Sequence, residues 1–368
     1  MELRYWLGHA LTGDLGPEVR VQGSPRLSSK FGGGPFEADL MLGDLRTLSG
    51  ARDTDAIKEI LDWTDGGKYT FVATYGDICV GEWLIWRAAE VTADGPVRVS
   101  GFELDGYPAF RSLNDDYKYT GGDQGAIAAR LLRDAFYSYQ DFQITVPWPL
   151  MGINRTIDHK AHTAYYSDVL DEISAPVDGF QWRVVPQIER FNDNRPTKVS
   201  RRVVFGQPTL RQASLLRLYQ ADEGARYGNV LDFPRPARDF SKYAQSVYGW
   251  GRGQGAKQQW VGLSDPTLTN QGHLIVTKNI TFSEASNTTA LRALTRAALA
   301  DAQQLQEPVS ATVIADKANT IPRVGDVVPV EVRPNHAWPG GFVGELQIGQ
   351  VELSPTGNHL DTFSLLGI

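Results

Sequence analysis

The hexapeptide Val80-Gly81-Glu82-Trp83-Leu84-Ile85 has a partial copy near the other end of the chain, Val343-Gly344-Glu345-Leu346-Gln347-Ile348. Both copies lie in stretches rich in β-branched and aromatic residues, which predicts a strand for each. A glycine turn follows about ten residues after each copy, at Asp94-Gly95 and at Thr356-Gly357, and another strand comes next. The repeat therefore predicts two related β modules, although four identities in six positions can also arise by chance in a long chain.

The chain around the first copy is predicted to form a small β-barrel, over residues 1–113, with one short helix. A glycine-rich turn at residues 31–36 comes before a strand whose apolar residues alternate. Residues Asp53 to Trp63 have apolar residues at helical spacing behind Asp53, a residue type that caps helix N-termini. Short strands joined by tight turns are typical of a small barrel.

The middle of the chain, residues 114–210, has the pattern of mixed α/β structure. Apolar residues follow helical spacing from Asp123 to Tyr139 and again from Tyr165 to Ile173. Phe180 to Ile188 has the composition of a strand and follows a turn at Asp178-Gly179. Two helices and at least one strand are therefore expected here.

The last part, residues 211–368, is predicted to form a second β-barrel that carries one long helix. Leucine and alanine recur at helical spacing between Thr288 and Gln306, and Pro308 ends the pattern. Strands are predicted for most of the chain after it. The fold class is therefore a β-rich, multidomain α+β protein, with two small β-barrel domains and an intervening α/β portion.

Length and composition exclude several classes of protein. A chain of 368 residues is too long for a single ordinary core and suits two or three domains. Cys79 is the single cysteine, so neither an internal disulfide nor a thiolate zinc site is expected. A net charge of -7 argues against a basic surface that holds nucleic acid. The sequence has no apolar run long enough to cross a bilayer and no secretory signal, so synthesis in a cytoplasm is expected.

Short motifs along the chain resemble, in their order, the hub family of siphophage and contractile-phage tails, whose members are also described as minor tail proteins or baseplate hubs. Each motif is short, and the resemblance depends on their coverage of most of the chain. The motifs are Phe31-Gly32-Gly33-Gly34-Pro35-Phe36-Glu37-Ala38-Asp39-Leu40, Val80 to Trp86, Gly101-Phe102-Glu103-Leu104 with Tyr107, Asp123-Gln124, Tyr227-Gly228-Asn229-Val230-Leu231, Ala244 to Gly251, Arg323-Val324-Gly325-Asp326-Val327-Val328 and Asp361 to Leu366.

This resemblance implies both a fold and a role. The resemblance implies that each subunit has two small barrels, which form a torus in a homotrimer. Three copies of a subunit with two similar modules close a pseudo-sixfold ring. The ring would extend the tail tube at the tail tip, as a non-enzymatic component of a virion assembled in the host cytoplasm. Its partners would be the distal tail protein or tail tube, the tape measure protein, and the central fibre or receptor-binding proteins. DNA would transit the lumen without specific binding.

Several groups of residues imitate catalytic or binding motifs. Asp158-His159-Lys160-Ala161-His162 has two histidines three residues apart, but a zinc site needs at least a third ligand, so a solvated turn is the simpler interpretation. Gly249 to Ala256 contains a Gly-x-Gly-x-x-Ala string without the following helix that a dinucleotide site requires. A turn or subunit contact is the favoured interpretation of that string.

Paired carboxylates and tryptophans are the residue types of a sugar-directed site. The pairs Asp115-Asp116 and Asp171-Glu172 are adjacent in sequence and point in different directions, unlike the two carboxyl groups of a glycosidase. Trp83 and Trp86 could stack on sugars, but large aromatic residues are more often core or interface residues. The sequence therefore assigns no catalytic, cofactor-binding or metal-binding residue. Two alternatives to the hub stay open: a carbohydrate-binding or cell-wall-degrading β-rich virion protein, and a hexameric distal tail protein.

Overall fold

The described residues of the first part of the chain form seven strands and one α-helix. The computed structural model describes residues 2–42, 53–89, 95–176, 178–190, 196–220, 228–236, 243–253, 258–272, 274–283, 285, 287–303, 309–318, 320–356 and 359–367. The elements of the first part are β1 (Leu3–His9), β2 (Leu15–Val19), β3 (Val21–Lys30), β4 (Pro35–Leu40), α1 (Thr54–Asp62), β5 (Tyr69–Tyr75), β6 (Ile78–Ala88) and β7 (Val97–Glu103).

β2 and β3, which together act as one bent strand, close these elements into a ring. Only Arg20 separates β2 from β3. β2 pairs with β1, while β3 pairs with β4, and the neighbours then continue through β7, β6 and β5 back to β1. All of these pairs are antiparallel. With β2 and β3 counted as one, these six strands form the first barrel, which leaves few unpaired strand edges.

The interior of the first barrel is aromatic. Alternation along the strands points Tyr5, Phe36, Phe71 and Trp83 inward, where all four are buried. The Phe71 ring lies 5.4 Å from that of Tyr5 and 5.2 Å from that of Phe36. α1 begins after Asp53, whose carboxylate accepts the amide hydrogen of Ala56, so the predicted helix and its cap are confirmed.

The middle of the chain is mixed α/β, as predicted. Its elements are β8 (Tyr117–Asp123), α2 (Gln124–Tyr137), β9 (Ile144–Thr145), β10 (Asn154–His159), α3 (Tyr166–Ser174), β11 (Gln181–Arg190) and β12 (Pro196–Gly206). β11, β12 and β9 form a three-stranded sheet, and β8 pairs with β10. α2 and α3 pack in a separate core with this sheet. α2 begins after Asp123, whose carboxylate accepts the amide hydrogens of Gly125 and Ala126.

The last part contains the second group of barrel strands and a small α/β insertion. Its elements are β13 (Gln212–Ala213), β14 (Leu218–Gln220), β15 (Val230–Asp232), β16 (Ser246–Trp250), β17 (Trp260–Ser264), α4 (Thr267–Asn270), β18 (Thr277–Thr281), α5 (Thr288–Ala302), β19 (Ser310–Ile314), β20 (Asp326–Val332), β21 (Phe342–Thr356) and β22 (His359–Gly367).

Asn229 joins the ends of the second ring. Strand pairing runs from β15 through β19, β22, β21 and β20 to β14. The gap between β14 and β15 is bridged by Asn229, whose backbone amide donates to Tyr219 O at 2.9 Å. Its side-chain oxygen accepts from Tyr219 N at 2.8 Å, and its side-chain nitrogen donates to Arg217 O at 2.7 Å. One buried side chain therefore replaces a strand pair.

The two rings have the same strand order. β1, β2–β3, β4, β5, β6 and β7 correspond, in chain order and in neighbour order, to β14, β15, β19, β20, β21 and β22. One difference is that β14 runs parallel to β20, whereas β1 runs antiparallel to β5. The repeated hexapeptide lies on β6 and β21, which occupy equivalent positions. The sequence repeat therefore coincides with a repeat of topology.

The two barrels are joined edge to edge. Beyond its pairing with β4, the end of β3 pairs with β21, with Lys30 opposite Gln350 and Leu27 opposite Leu353. A single cluster of buried apolar residues extends through both barrels. The β-rich, multidomain fold class is thus confirmed, and the boundaries at 113/114 and 210/211 stay predictions.

The predicted long helix is present but ends earlier than expected and lies outside the second barrel. α5 ends at Ala302, not at Gln306, and residues 304–308 lie outside the described residues. α5 packs on the three-stranded sheet β17-β16-β18, which is inserted between β15 and β19. Gly249 permits this contact, because a Cβ atom there would lie 2.0 Å from Thr295 Oγ1 on α5.

Candidate functional site

The predicted histidine pair is divided between two environments. His159, on β10, is hydrogen-bonded to Glu172 on α3, with 2.7 Å between Nε2 and Oε2. That hydrogen bond raises the pKa of His159 above its usual value. His162 lies in the following turn with a φ of 62°, and its backbone amide donates to Leu113 O. Within the described ranges, no cluster of three His, Cys, Asp or Glu residues could hold a metal ion.

The adjacent carboxylates are held in separate structural contacts. Asp116 accepts hydrogen bonds from Lys160 Nζ at 2.7 Å and from Ala161 N at 2.9 Å. Glu172 contacts His159, while burial raises the pKa of its neighbour Asp171. Neither pair converges on a shared space, so neither has the arrangement of two opposed carboxyl groups that sugar hydrolysis requires.

The glycine string and the two tryptophans of the sequence have different roles. Gly249 lies under α5, and residues 254–256 of the string lie outside the described residues. Trp83 is 1% exposed in the first barrel, and its indole nitrogen donates to Ser28 O at 2.9 Å, so it cannot reach a ligand. Trp86 is 44% exposed and its ring lies 4.7 Å from that of Phe110.

A buried ion pair fastens the middle sheet to the first barrel. Arg201 on β12 donates to Glu82 on β6 through two hydrogen bonds, from Nε at 2.9 Å and from Nη2 at 2.6 Å. Both side chains are 1% exposed. Arg201 also donates to Ala10 O and Phe142 O, so its buried charge is well hydrogen-bonded.

A second buried arginine lies where three parts of the fold meet. Arg183, on β11, donates to Glu103 and Ser29 of the first barrel, at 3.4 Å and 3.2 Å, and to Val324 O of the last part at 3.4 Å. Asp105 lies beside it and accepts the Val184 amide hydrogen at 2.7 Å. This cluster couples the positions of both barrels and of the middle sheet.

The cluster around Arg183 contains more buried carboxyl groups than buried basic groups. Burial raises the pKa of Glu103, and it raises the pKa of Asp105 to about 7, because Arg183 offsets only part of the cost of desolvation. Among the residues that the structure describes, Asp105 Oδ2 and Arg183 Nε have no hydrogen-bond partner. Asp326 also lies near, with its pKa raised by burial. The junction is therefore sensitive to the protonation of its carboxyl groups.

A groove runs along the end of β6. It is lined by residues from Leu61, near the end of α1, to Tyr69, and by Trp86, Arg87 and Ala88, all three of which are exposed. β7 pairs with one edge of this segment, and the groove follows the other edge. An exposed strand edge beside an exposed tryptophan has the character of an assembly contact, because it offers both backbone hydrogen bonds and apolar area.

The buried ion pairs and Asn229 were missed by sequence reasoning. Glu82 alternates with Trp83 on a predicted strand and therefore faces away from the barrel interior, and Arg201 lies outside the predicted strands, so no local signal distinguishes either residue from a solvated charge. Asn229 lies within a motif of the phage resemblance, but its closing role depends on residues that meet only in the fold. Within the described part of the chain, no helix has the length and apolar character needed to span a membrane.

Comparisons with known proteins identify the fold. No family model and no curated protein matches the sequence. A tail protein from Neisseria meningitidis MC58 is similar in structure, with a TM-score of 0.58 and 14% identity over 99% of this chain and 96% of that one. The 43 kDa tail protein of prophage MuSo2 from Shewanella oneidensis has a TM-score of 0.57 and 10% identity, over 100% of this chain and 98% of that one. The resemblance to phage tail proteins is therefore confirmed for the fold, and this chain has, over nearly its whole length, the fold of these two tail proteins.

Proposed function

We propose that this chain is a structural hub of a phage tail tip or baseplate, three copies of which form a pseudo-sixfold ring. Two observations support this role. The chain has the fold of two proteins described as tail proteins, from Neisseria meningitidis and Shewanella oneidensis. The residue groups that imitate catalytic motifs, in contrast, are divided among structural contacts, which favours a non-enzymatic role.

The observation that carries the proposal is the matched strand order of the two barrels. Two barrels with the same strand order in one subunit give six similar barrels in a threefold ring. Such a ring closes if the contact between neighbouring subunits repeats the contact between the two barrels of one subunit. The junction of β3 with β21 provides the pattern for that contact.

The repeat identifies the edge that would form this contact. When Val343 is aligned with Val80, Gln350 corresponds to Arg87 on β6. Gln350 is the residue that pairs with Lys30 of β3. The end of β21 is covered by β3, whereas the corresponding end of β6 faces the groove. In the ring, we expect the second barrel of a neighbouring copy to cover residues 87–89. β15, the counterpart of β3, would provide that cover, and its Leu231 is 60% exposed.

The same proposal assigns partners and location. The ring would extend the tail tube within the virion, contacting the distal tail protein or tail tube on one side and the central fibre or receptor-binding proteins on the other. The tape measure protein and then DNA would occupy its lumen. A net charge of -7 suits a lumen that repels phosphate and lets DNA slide.

Electron cryo-microscopy of the purified protein and of intact tail tips tests the proposal. A ring of three copies with six similar inner walls is the expected result. Six copies per ring would favour the distal tail protein instead. A protein that stays monomeric at all concentrations, with no matching density in a tail tip, would overturn the hub.

A further inference from the structure

The inserted α/β unit has one sheet face that no element among the described residues covers. α5 packs on the face of β17-β16-β18 that carries Val247, Gly249 and Val261. Strand pairing puts nine residues on the opposite face, in three rows across the strands. The rows are Ser264, Ser246 and Thr277; Gly262, Tyr248 and Asn279; and Trp260, Trp250 and Thr281.

The nine residues are all uncharged and combine aromatic rings with hydroxyl and amide groups. The Trp260 ring lies 6.1 Å from the Tyr248 ring and 6.2 Å from the Trp250 ring. Ser246 and Ser264 share a hydrogen bond of 2.8 Å, and Trp250 Nε1 donates to the Asn279 side chain at 3.3 Å. Trp260 is 57% exposed, so the rings form a continuous surface that solvent reaches.

Gly262 shapes this surface. A Cβ atom at position 262 would lie 2.8 Å from the Tyr248 ring. Glycine therefore allows the Tyr248 ring to lie across the neighbouring strand instead of standing away from the sheet. The result is an aromatic platform on a three-stranded sheet, with the Trp260 ring tilted by 48° to the Tyr248 ring and by 35° to the Trp250 ring.

The size and charge of the platform select its ligand. From ordinary strand dimensions, three strands by three residues cover about 10 Å by 13 Å, or roughly 130 Å². A stable protein–protein interface needs about 800 Å² on each partner, so this face alone is too small for one. The absence of charge from all nine positions disfavours phosphate, acidic sugars and charged peptides.

We propose that this platform binds a short stretch of a neutral polysaccharide. Aromatic faces stack on the apolar C–H faces of sugar rings, and the surrounding hydroxyl and amide groups exchange hydrogen bonds with sugar hydroxyls. The proposal adds a ligand to the structural role and does not depend on ring formation, since the face lies on a single chain.

Saturation-transfer NMR and calorimetry on the full chain test this site. The probes are maltotriose, cellotriose, mannotriose and the N-acetylglucosamine trimer, each at millimolar concentration. At least one should bind, and Trp260→Ala should weaken its binding at least tenfold. The matched control is Trp148→Ala, which removes a tryptophan that is 50% exposed outside the platform and should leave binding unchanged.

A second variant separates ligand contact from folding. Gly262→Ala displaces the Tyr248 ring and should also weaken binding while circular dichroism stays unchanged. Three results would each overturn the proposal: no binding by any of the four trisaccharides, equal binding by the native chain and Trp260→Ala, or tighter binding of a sulfated trisaccharide than of its neutral form. Ring formation, measured in parallel by mass photometry, should be equal in the native chain and in both platform variants.

Discussion

Glu82 of the first barrel and Arg201 of the middle sheet form a bidentate ion pair that is almost completely removed from solvent, with each side chain 1% exposed. Removing one member leaves the other charge buried and uncompensated, which typically costs about 3–5 kcal/mol. We therefore expect Glu82→Gln to lower the free energy of unfolding by about 3 kcal/mol. Urea denaturation followed by circular dichroism measures this change.

The matched control is the surface pair of Arg98 and Asp39, which is also bidentate, with distances of 2.7 and 2.9 Å. Arg98 is 59% exposed, so solvent screens the pair. Asp39→Asn should cost no more than about 1 kcal/mol. Equal losses in the two variants would contradict the importance of burial at Glu82.

Asp105 makes stability depend on pH. Its pKa is raised to about 7 in the folded chain by burial, from an ordinary value near 3.8. The folded state therefore holds a proton that the unfolded state has released, so this carboxyl group lowers stability as pH rises from about 4 to about 7 and has no further effect above that. At about 1.4 kcal/mol per pH unit, the loss between pH 5 and pH 8 is roughly 2–3 kcal/mol.

Asp105→Asn isolates this effect, because asparagine resembles the protonated acid and its oxygen can still accept the Val184 amide hydrogen. Between pH 5 and pH 8, the variant should lose roughly 2–3 kcal/mol less stability than the native chain. Asp171→Asn, at a carboxyl group away from the junction whose pKa burial also raises, serves for comparison. If Asp105→Asn and the native chain differ in stability by the same amount at pH 5 and at pH 8, Asp105 titrates normally and the prediction is wrong.

Local periodicity explains which parts of the fold could be predicted. α1 is predictable because its apolar spacing and the capping Asp53 lie within one short stretch of sequence, and α2 is predictable from its apolar spacing alone. The two β modules are predictable because β6 and β21 contain hexapeptides that are identical at four of six positions. The insertion of α5 into its own unit was missed, since nothing in its spacing states which sheet it packs on.

Non-local contacts explain what the sequence could not provide. Glu82 and Arg201 are 119 residues apart, and each alone has the character of a solvated charge. His159 and His162 looked like a ligand pair because they are close in sequence. A strand end at His159 and the left-handed backbone at His162 direct them to different partners.

Asn229 should be essential for closing the second barrel. Asn229→Ala leaves the Tyr219 amide and the Arg217 carbonyl without their partner, at a cost of about 1–3 kcal/mol for each buried group. Hydrogen exchange should show lost protection at the Tyr219 amide before global unfolding. Asn335→Ala, which removes exposed hydrogen bonds to Trp338 N and the Gln220 side chain, should have a small effect. Unchanged exchange at Tyr219 would show that other contacts close the ring.

The free edge of β6 gives the sharpest test of assembly. Ala88 pairs with Val99 on β7, and the amide of its neighbour Ala89 donates to Arg98 O on that same side. Because amide directions alternate along a strand, the Ala88 amide points to the opposite edge, along the groove. Proline at an edge position removes one outward donor without breaking the inner pairing.

Ala88→Pro should therefore leave the fold of the isolated chain intact and weaken ring formation. One lost hydrogen bond costs about 1 kcal/mol at each interface, and a closed trimer has three interfaces, so the trimerisation constant should fall roughly 100-fold. Ala88→Val keeps the amide and should assemble normally, which separates backbone pairing from side-chain packing. Analytical ultracentrifugation over a concentration series measures both variants. Native-like rings from Ala88→Pro would place the subunit contact elsewhere, and an equal loss in Ala88→Val would assign the contact to side-chain packing instead of the strand edge.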